Sequence, residues 1–116
     1  MSVIFQTRDP KQLLEAFDAA ILKRELKGKI TTWVKHSDMI HYTHTAAQWR
    51  YQAFLAPKVG EMELTFNIIR NKTSPVSTAT YSFYHGHLIE TFLNHFDQLF
   101  ESANATAMPA SGDRCG

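Results

Sequence analysis

The chain has 116 residues, 44% apolar and 20% charged, and its twelve Lys and Arg against eleven Asp and Glu leave a formal charge of +1. That length suits one domain with a real core, and the composition excludes a chain kept unfolded by excess charge. The balanced charge gives no push toward nucleic acid, and no apolar run approaches the roughly 18 residues that a membrane span requires.

The opening MSVIFQTRD lacks a basic stretch followed by a long apolar one, so no leader is expected and the chain is assigned to the cytoplasm. A single cysteine, Cys115, fits a reducing compartment. Val3 to Phe5 reads as a short edge strand or a lead-in. Asp9-Pro10 then announces a helix, with Asp9 as cap, Pro10 at the first helical position and Gln12 as capping partner. Leu13, Leu14, Phe17, Ala20 and Ile21 form its apolar stripe, and Gly28 is a natural stop. Lys23, Arg24, Lys27 and Lys29 gather at its end, where cations suit a helix C-terminus.

Strands follow. Lys29 to His36 alternates, with Ile30, Thr32 and Val34 on the expected inner face and Trp33 on the outer. Met39 to His44 is a second strand with Ile40 and Tyr42 inward. Ala46 to Leu55 is a third, with Trp49, Tyr51, Ala53 and Leu55 on one side and Arg50, Gln52 and Phe54 on the other. Pro57 to Gly60 reads as a hairpin connection. Glu61 to Arg70 is the clearest strand: Met62, Leu64, Phe66 and Ile68 alternate with Glu61, Glu63, Thr65 and Asn67, as a strand with one buried face requires. Val76 to Tyr84, rich in Thr, Ser and aromatic residues, reads as a fifth strand. Gly86 opens the last helix, with Leu88, Ile89, Phe92, Leu93, Phe96, Leu99 and Phe100 as its stripe. Residues 104–116 lack periodicity and read as a flexible tail behind a single domain over 1–103. The predicted fold is α+β: a four- to five-stranded antiparallel meander, ordered α-β-β-β-β-β-α, with an N-terminal and a C-terminal helix packed on one face.

No catalytic motif emerges, and three functional readings are drawn from the residues. In the first, Trp33, Arg50, Phe54 and Ile69 share an outer sheet face, where large apolar groups among polar ones form an interaction surface, so the chain is a binding module acting on another protein or on itself as a homodimer. In the second, Tyr42, Trp49, Tyr51 and Tyr81 line a pocket between sheet and helices for a small apolar ligand. In the third, His85, His87 and Glu90 at a strand–helix junction hold Zn²⁺ for a metal-dependent enzyme or metal binder. The leading reading requires no cofactor. His41 and His44 point to opposite faces of a strand, and His36 and Asp38 flank a turn. Glu61 and Glu63 read as wet-face carboxylates.

Overall fold

Along Glu63–Arg70 (β5), Leu64, Phe66 and Ile68 are sealed from solvent while Thr65 and Ile69 are half-exposed. The alternation predicted for this stretch therefore sets two sheet faces. The computed structural model, which describes residues 1–116, builds a six-stranded sheet around it. Besides β5 its strands are Ser2–Gln6 (β1), Trp33–Lys35 (β2), Tyr42–His44 (β3), Ala53–Val59 (β4) and Ser102–Ala105 (β6). Their order is β2-β3-β4-β5-β1-β6, and every pairing between them is antiparallel. The helices Pro10–Leu22 (α1) and Thr78–Phe96 (α2) pack on one face, which makes the fold α+β as the sequence predicts. No helix is long and apolar enough to cross a membrane.

The core is aromatic. Phe5 from β1 stacks on Phe92 from α2 at 4.2 Å, and Phe92 meets Phe17 of α1 at 4.9 Å and Phe66 of β5 at 5.7 Å. Each ring buried contributes roughly 1.5–3 kcal/mol, and the edge-on and stacked geometries add about 0.5–1.5 kcal/mol per pair. Helix α1 begins as its sequence predicts, with Pro10 in the first turn and Asp9 accepting the Gln12 amide at 3.0 Å. It ends at Leu22, before Gly28. There the Lys29 ammonium donates to the carbonyls of Ile21 (2.7 Å) and Lys23 (2.6 Å), satisfying acceptors that the helix end leaves open.

The largest departure from the sequence reading lies at Val76–Tyr84. This stretch is not a strand: α2 starts at Thr78, capped by the Ser77 hydroxyl, which accepts from the Thr80 amide at 3.2 Å. Thr80, Tyr84, Leu88, Phe92 and Phe96 are buried at helical spacing, so the packing stripe overrides the strand propensity of Thr, Ser and Tyr. Gly86 consequently sits inside the helix, on a side where an added Cβ meets nothing within 4 Å.

Trp33 is the second correction. It is buried, not outward, and its indole N–H donates to Thr91 Oγ1 at 3.0 Å. Ile30, which set the predicted parity, is buried as part of a loop whose amide bonds to Ala20 O, and the chain bends before β2 begins. Residues 46–52 form turns in place of a strand, with the Trp49 and Arg50 amides both donating to Ala46 O. Pro57 lies within β4, opposite Phe66. The β3 pairing stops at Tyr42–Leu55, so the missing Pro57 amide interrupts no ladder.

Two segments expected at the margins lie in the sheet. β1 is an inner strand, held between β5 and β6. Asn104 and Ala105 belong to β6, and Arg114 lies alongside β5, its amide bonding Ile68 O while its carbonyl accepts from Arg70. Asp113 anchors this return. Its carboxylate, fully covered, accepts from Asn67 Nδ2 (2.9 Å), the Ile68 amide (3.1 Å) and the Ala110 amide (2.7 Å). Asp113→Ala leaves those donors without their partner and is expected to cost about 2–4 kcal/mol, since each unsatisfied buried group costs roughly 1–3 kcal/mol. Urea denaturation checks this, and an unchanged midpoint would mean that the segment contributes nothing to the fold.

Candidate functional site

The outer sheet face, opposite the helices, gathers the groups of most chemical interest. Phe54 and Ile69 are direct cross-strand partners on it, both half-exposed. Register extends the β2–β3 hairpin from Lys35–Tyr42 to His36 and His41, joined by a bond from the His36 amide to His41 O at 2.8 Å. The His36 ring lies 4.9 Å from Phe54. Together His36, Asp38, His41, Phe54, Ile69, Arg70, Asn71 and Lys72 line a cleft of about 190 Å³.

Within it the Asp38 carboxylate is already engaged. It accepts from His41 Nδ1 at 2.5 Å and from the amides of Ile40 (2.9 Å) and His41 (3.0 Å). The imidazole bond, followed by the two amides, holds its pKa well below the usual carboxylate range. Arg70 and Lys72 take part in none of the chain's ion pairs. The cleft therefore offers two cations outside any ion pair and two imidazoles beside an apolar floor, with its one acid hydrogen-bonded to His41 and two amides; Arg70 Nε donates to Asn71 O at 3.1 Å.

Strain borders this site. The only non-glycine residues with left-handed φ are Met39 (60°), in the turn between the two histidines, and Tyr51 (62°), whose ring stands 6.0 Å from His36 and 6.2 Å from Phe54. Such backbone persists only where the surroundings enforce it. Tyr51 is clamped by its amide bond to Thr43 Oγ1 (3.0 Å) and by Asn71 Nδ2 donating to its carbonyl (3.0 Å). Arg50 lies over the Tyr51 ring at 5.0 Å. Met39, Ile40 and Tyr51 are all exposed, so the cleft sits amid uncovered apolar surface.

Of the surface predicted from sequence, Phe54, Ile69 and Arg50 lie in or beside the cleft, while Trp33 lies on the opposite side of the sheet, in the core. Sequence spacing alone does not join the histidines, Asp38, Arg70 and Lys72 into one site. The signal was their place at one end of neighbouring strands, which needs the strand order to be seen.

The four residues of the predicted helix–sheet pocket are dispersed. Tyr42 is buried, with its hydroxyl donating to Asp18; burial, then that bond, raise its pKa strongly. Trp49 stacks on Phe83 at 4.3 Å, and Tyr51 is on the cleft side. Tyr81 faces a shallow cavity of about 350 Å³ between α2 and β6.

His85, His87 and Glu90 are not gathered into one ligand set, and no three potential metal ligands converge anywhere in the chain. On a helix, residues two apart face different ways. His85 is buried, donates from Nδ1 to Tyr81 O at 2.5 Å, and leaves Nε2 without a partner. His87 instead meets His44. The Ala46 amide donates to His44 Nδ1 (3.0 Å), so the His44 proton is on Nε2 and is donated to His87 Nδ1 at 2.6 Å. His87 Nε2 lies 3.9 Å from Glu90.

An added proton on His44 Nδ1 would oppose the Ala46 amide. Burial, then the neighbouring His87, lower the His44 pKa to about 4 from its ordinary 6.5. The unfolded chain binds this proton first as pH falls, so the stability involved is complete above pH 6.5 and lost toward pH 4. A decline of up to about 3 kcal/mol is expected across that window, from about 1.36 kcal/mol per pKa unit. Denaturation at pH 7.5 and 4.5 checks it. His44→Gln, less stable at pH 7.5, is expected to show the shallower decline, and an equal decline in both proteins would contradict the assignment.

Comparisons of the chain with protein-family models, curated proteins and solved structures found no match.

Proposed function

We propose that the chain is a binding module whose working surface is the outer sheet face, centred on the cleft between the β2–β3 hairpin and the end of β5. At about 190 Å³ the cleft is smaller than the roughly 300–1,000 Å³ typical of small-molecule sites. It suits one anchoring group carried on a larger partner. Charge names that group. Arg70 and Lys72 have no carboxylate partner, and Asp38 is held by His41. Phe54 and Ile69 offer apolar contact directly beside them. A carboxylate flanked by an aliphatic side chain, presented by an acidic peptide segment, satisfies both features. The observation that carries the reading is that Arg70 and Lys72, which belong to no ion pair, line one cleft with the half-buried apolar pair Phe54 and Ile69.

Calorimetric titration with the capped peptide Ac-Glu-Leu-Glu-NH₂ and its Gln-Leu-Gln counterpart tests it. The acidic peptide is expected to bind and the neutral one to bind at least about tenfold more weakly. Arg70→Ala and Phe54→Ala are each expected to weaken the acidic peptide by about tenfold, which corresponds to about 1.4 kcal/mol. Equal affinity for the two peptides, or no binding of either, would overturn the reading.

A further inference from the structure

The chain carries an acidic, apolar segment of its own. Nine large apolar residues are exposed: Leu22, Leu26, Met39, Ile40, Tyr51, Val59, Met62, Leu93 and Met108. Met62 alone has an acid on both sides, Glu61 and Glu63, and all three are exposed at the turn between β4 and β5. The turn is fixed, with Gly60 N bonding Glu63 O at 2.9 Å and Thr7 N bonding Met62 O at 3.0 Å. Neither glutamate belongs to an ion pair.

β5 runs from Glu63 to Arg70, so this tip and the cleft stand at opposite ends of one strand. At about 3.4 Å per residue they are some 24 Å apart. A rigid strand cannot bring its own tip into its own cleft. The cleft that can receive the tip belongs to another molecule.

We propose that the protein associates with itself head to tail, the Glu61-Met62-Glu63 tip of one copy seated in the cleft of the next, its carboxylates on Arg70 and Lys72 and Met62 on Phe54 and Ile69. This rests on the cleft reading above and names its partner. The two surfaces are different, so the contact does not close as a twofold dimer; it leaves a free tip and a free cleft on every assembly and grows with concentration. A single turn in a small cleft buries less than the roughly 1,200 Å² of a stable interface, so association is weak, and two exposed charge pairs make it sensitive to salt.

Sedimentation velocity of the full chain, from about 10 µM to 1 mM at low and at high salt, tests the proposal; that range brackets the weak affinities expected of small interfaces. The weight-average mass is expected to rise with concentration and to fall back with salt. E61Q/E63Q lacks the acidic tip and R70Q/K72Q the cationic cleft, so each alone is expected to stay monomeric. Their equimolar mixture is expected to reach the mass of a dimer and stop, since only one productive contact remains. Wild-type protein that is monomeric throughout, or variants that associate as wild type does, would overturn the proposal. If the wild type is monomeric while Ac-Glu-Leu-Glu-NH₂ still binds the cleft, the self-association alone falls. If neither occurs, the cleft reading falls with it.

Discussion

The four-way contact of Phe5, Phe17, Phe66 and Phe92 sets every other position in this protein. These rings come from β1, α1, β5 and α2: Phe92 lies within 5 Å of Phe5 and Phe17, and Phe66 stands 5.7 Å from Phe92 and 5.8 Å from Phe17. Removing any one would cost roughly 3–5 kcal/mol, a large share of the 5–15 kcal/mol that holds a small domain together. Because Phe66 must face the helices, so must Leu64 and Ile68, and Ile69 must face away. Antiparallel register then carries the choice across the sheet: Leu55 opposite Ile68 is sealed, and Phe54 opposite Ile69 is left half-open. A slip of one residue would exchange the two faces.

The same parity builds the cleft. A hairpin whose Tyr42 points at Phe17 and Phe66 must turn the next cross-strand pair, His36 and His41, to the opposite face. Arg70 does not follow from this parity: it ends β5 opposite the buried Ala53, and Lys72 lies in the turn beyond, so both reach the cleft from the end of the strand. The site is thus a consequence of core packing, assembled from the ends of neighbouring strands with no contribution from the helices. On the helix side, polar groups are consumed in structural work. Trp33 is bonded to Thr91, Tyr84 shares a bond with Thr43 and donates to Trp49 O, and His44 is bonded to His87. On the outer face Asp38 and Asn71 are likewise bonded, while Arg70 and Lys72 stay outside any ion pair.

Much of this architecture was legible in the residues, for identifiable reasons. β5 reads plainly because polar and apolar residues alternate along it, even though the C-terminal return covers Asn67 on the outer face. Helix α1 reads plainly because Asp9 and Pro10 mark its start and Leu13, Phe17 and Ile21 mark its inner side. The start of α2 was hidden because Thr78, Thr80 and Tyr81 favour strands locally, and only the distant stripe through Tyr84, Leu88 and Phe92 decides otherwise. Trp33 was misplaced because Ile30, buried in a loop, imitates the phase of a strand. The return of residues 104–116 to the sheet depends on small and polar groups, Asp113 above all, whose role is hydrogen bonding and leaves no periodic trace. Phe54 and Ile69 could be assigned to the outer face from alternation alone. The charged rim around them could not, because it comes from three segments brought together only by strand order.

The central claim is that Phe54 and Ile69 face solvent while their neighbours Leu55 and Ile68 face the core. A soluble paramagnetic probe added to isotopically labelled protein tests it residue by residue through NMR signal loss. The account predicts strong broadening of the Phe54 ring and the Ile69 methyls, with Leu55, Phe66, Ile68 and Trp33 protected. Protection of Phe54 and Ile69 together with broadening of Leu55 and Ile68 would contradict it.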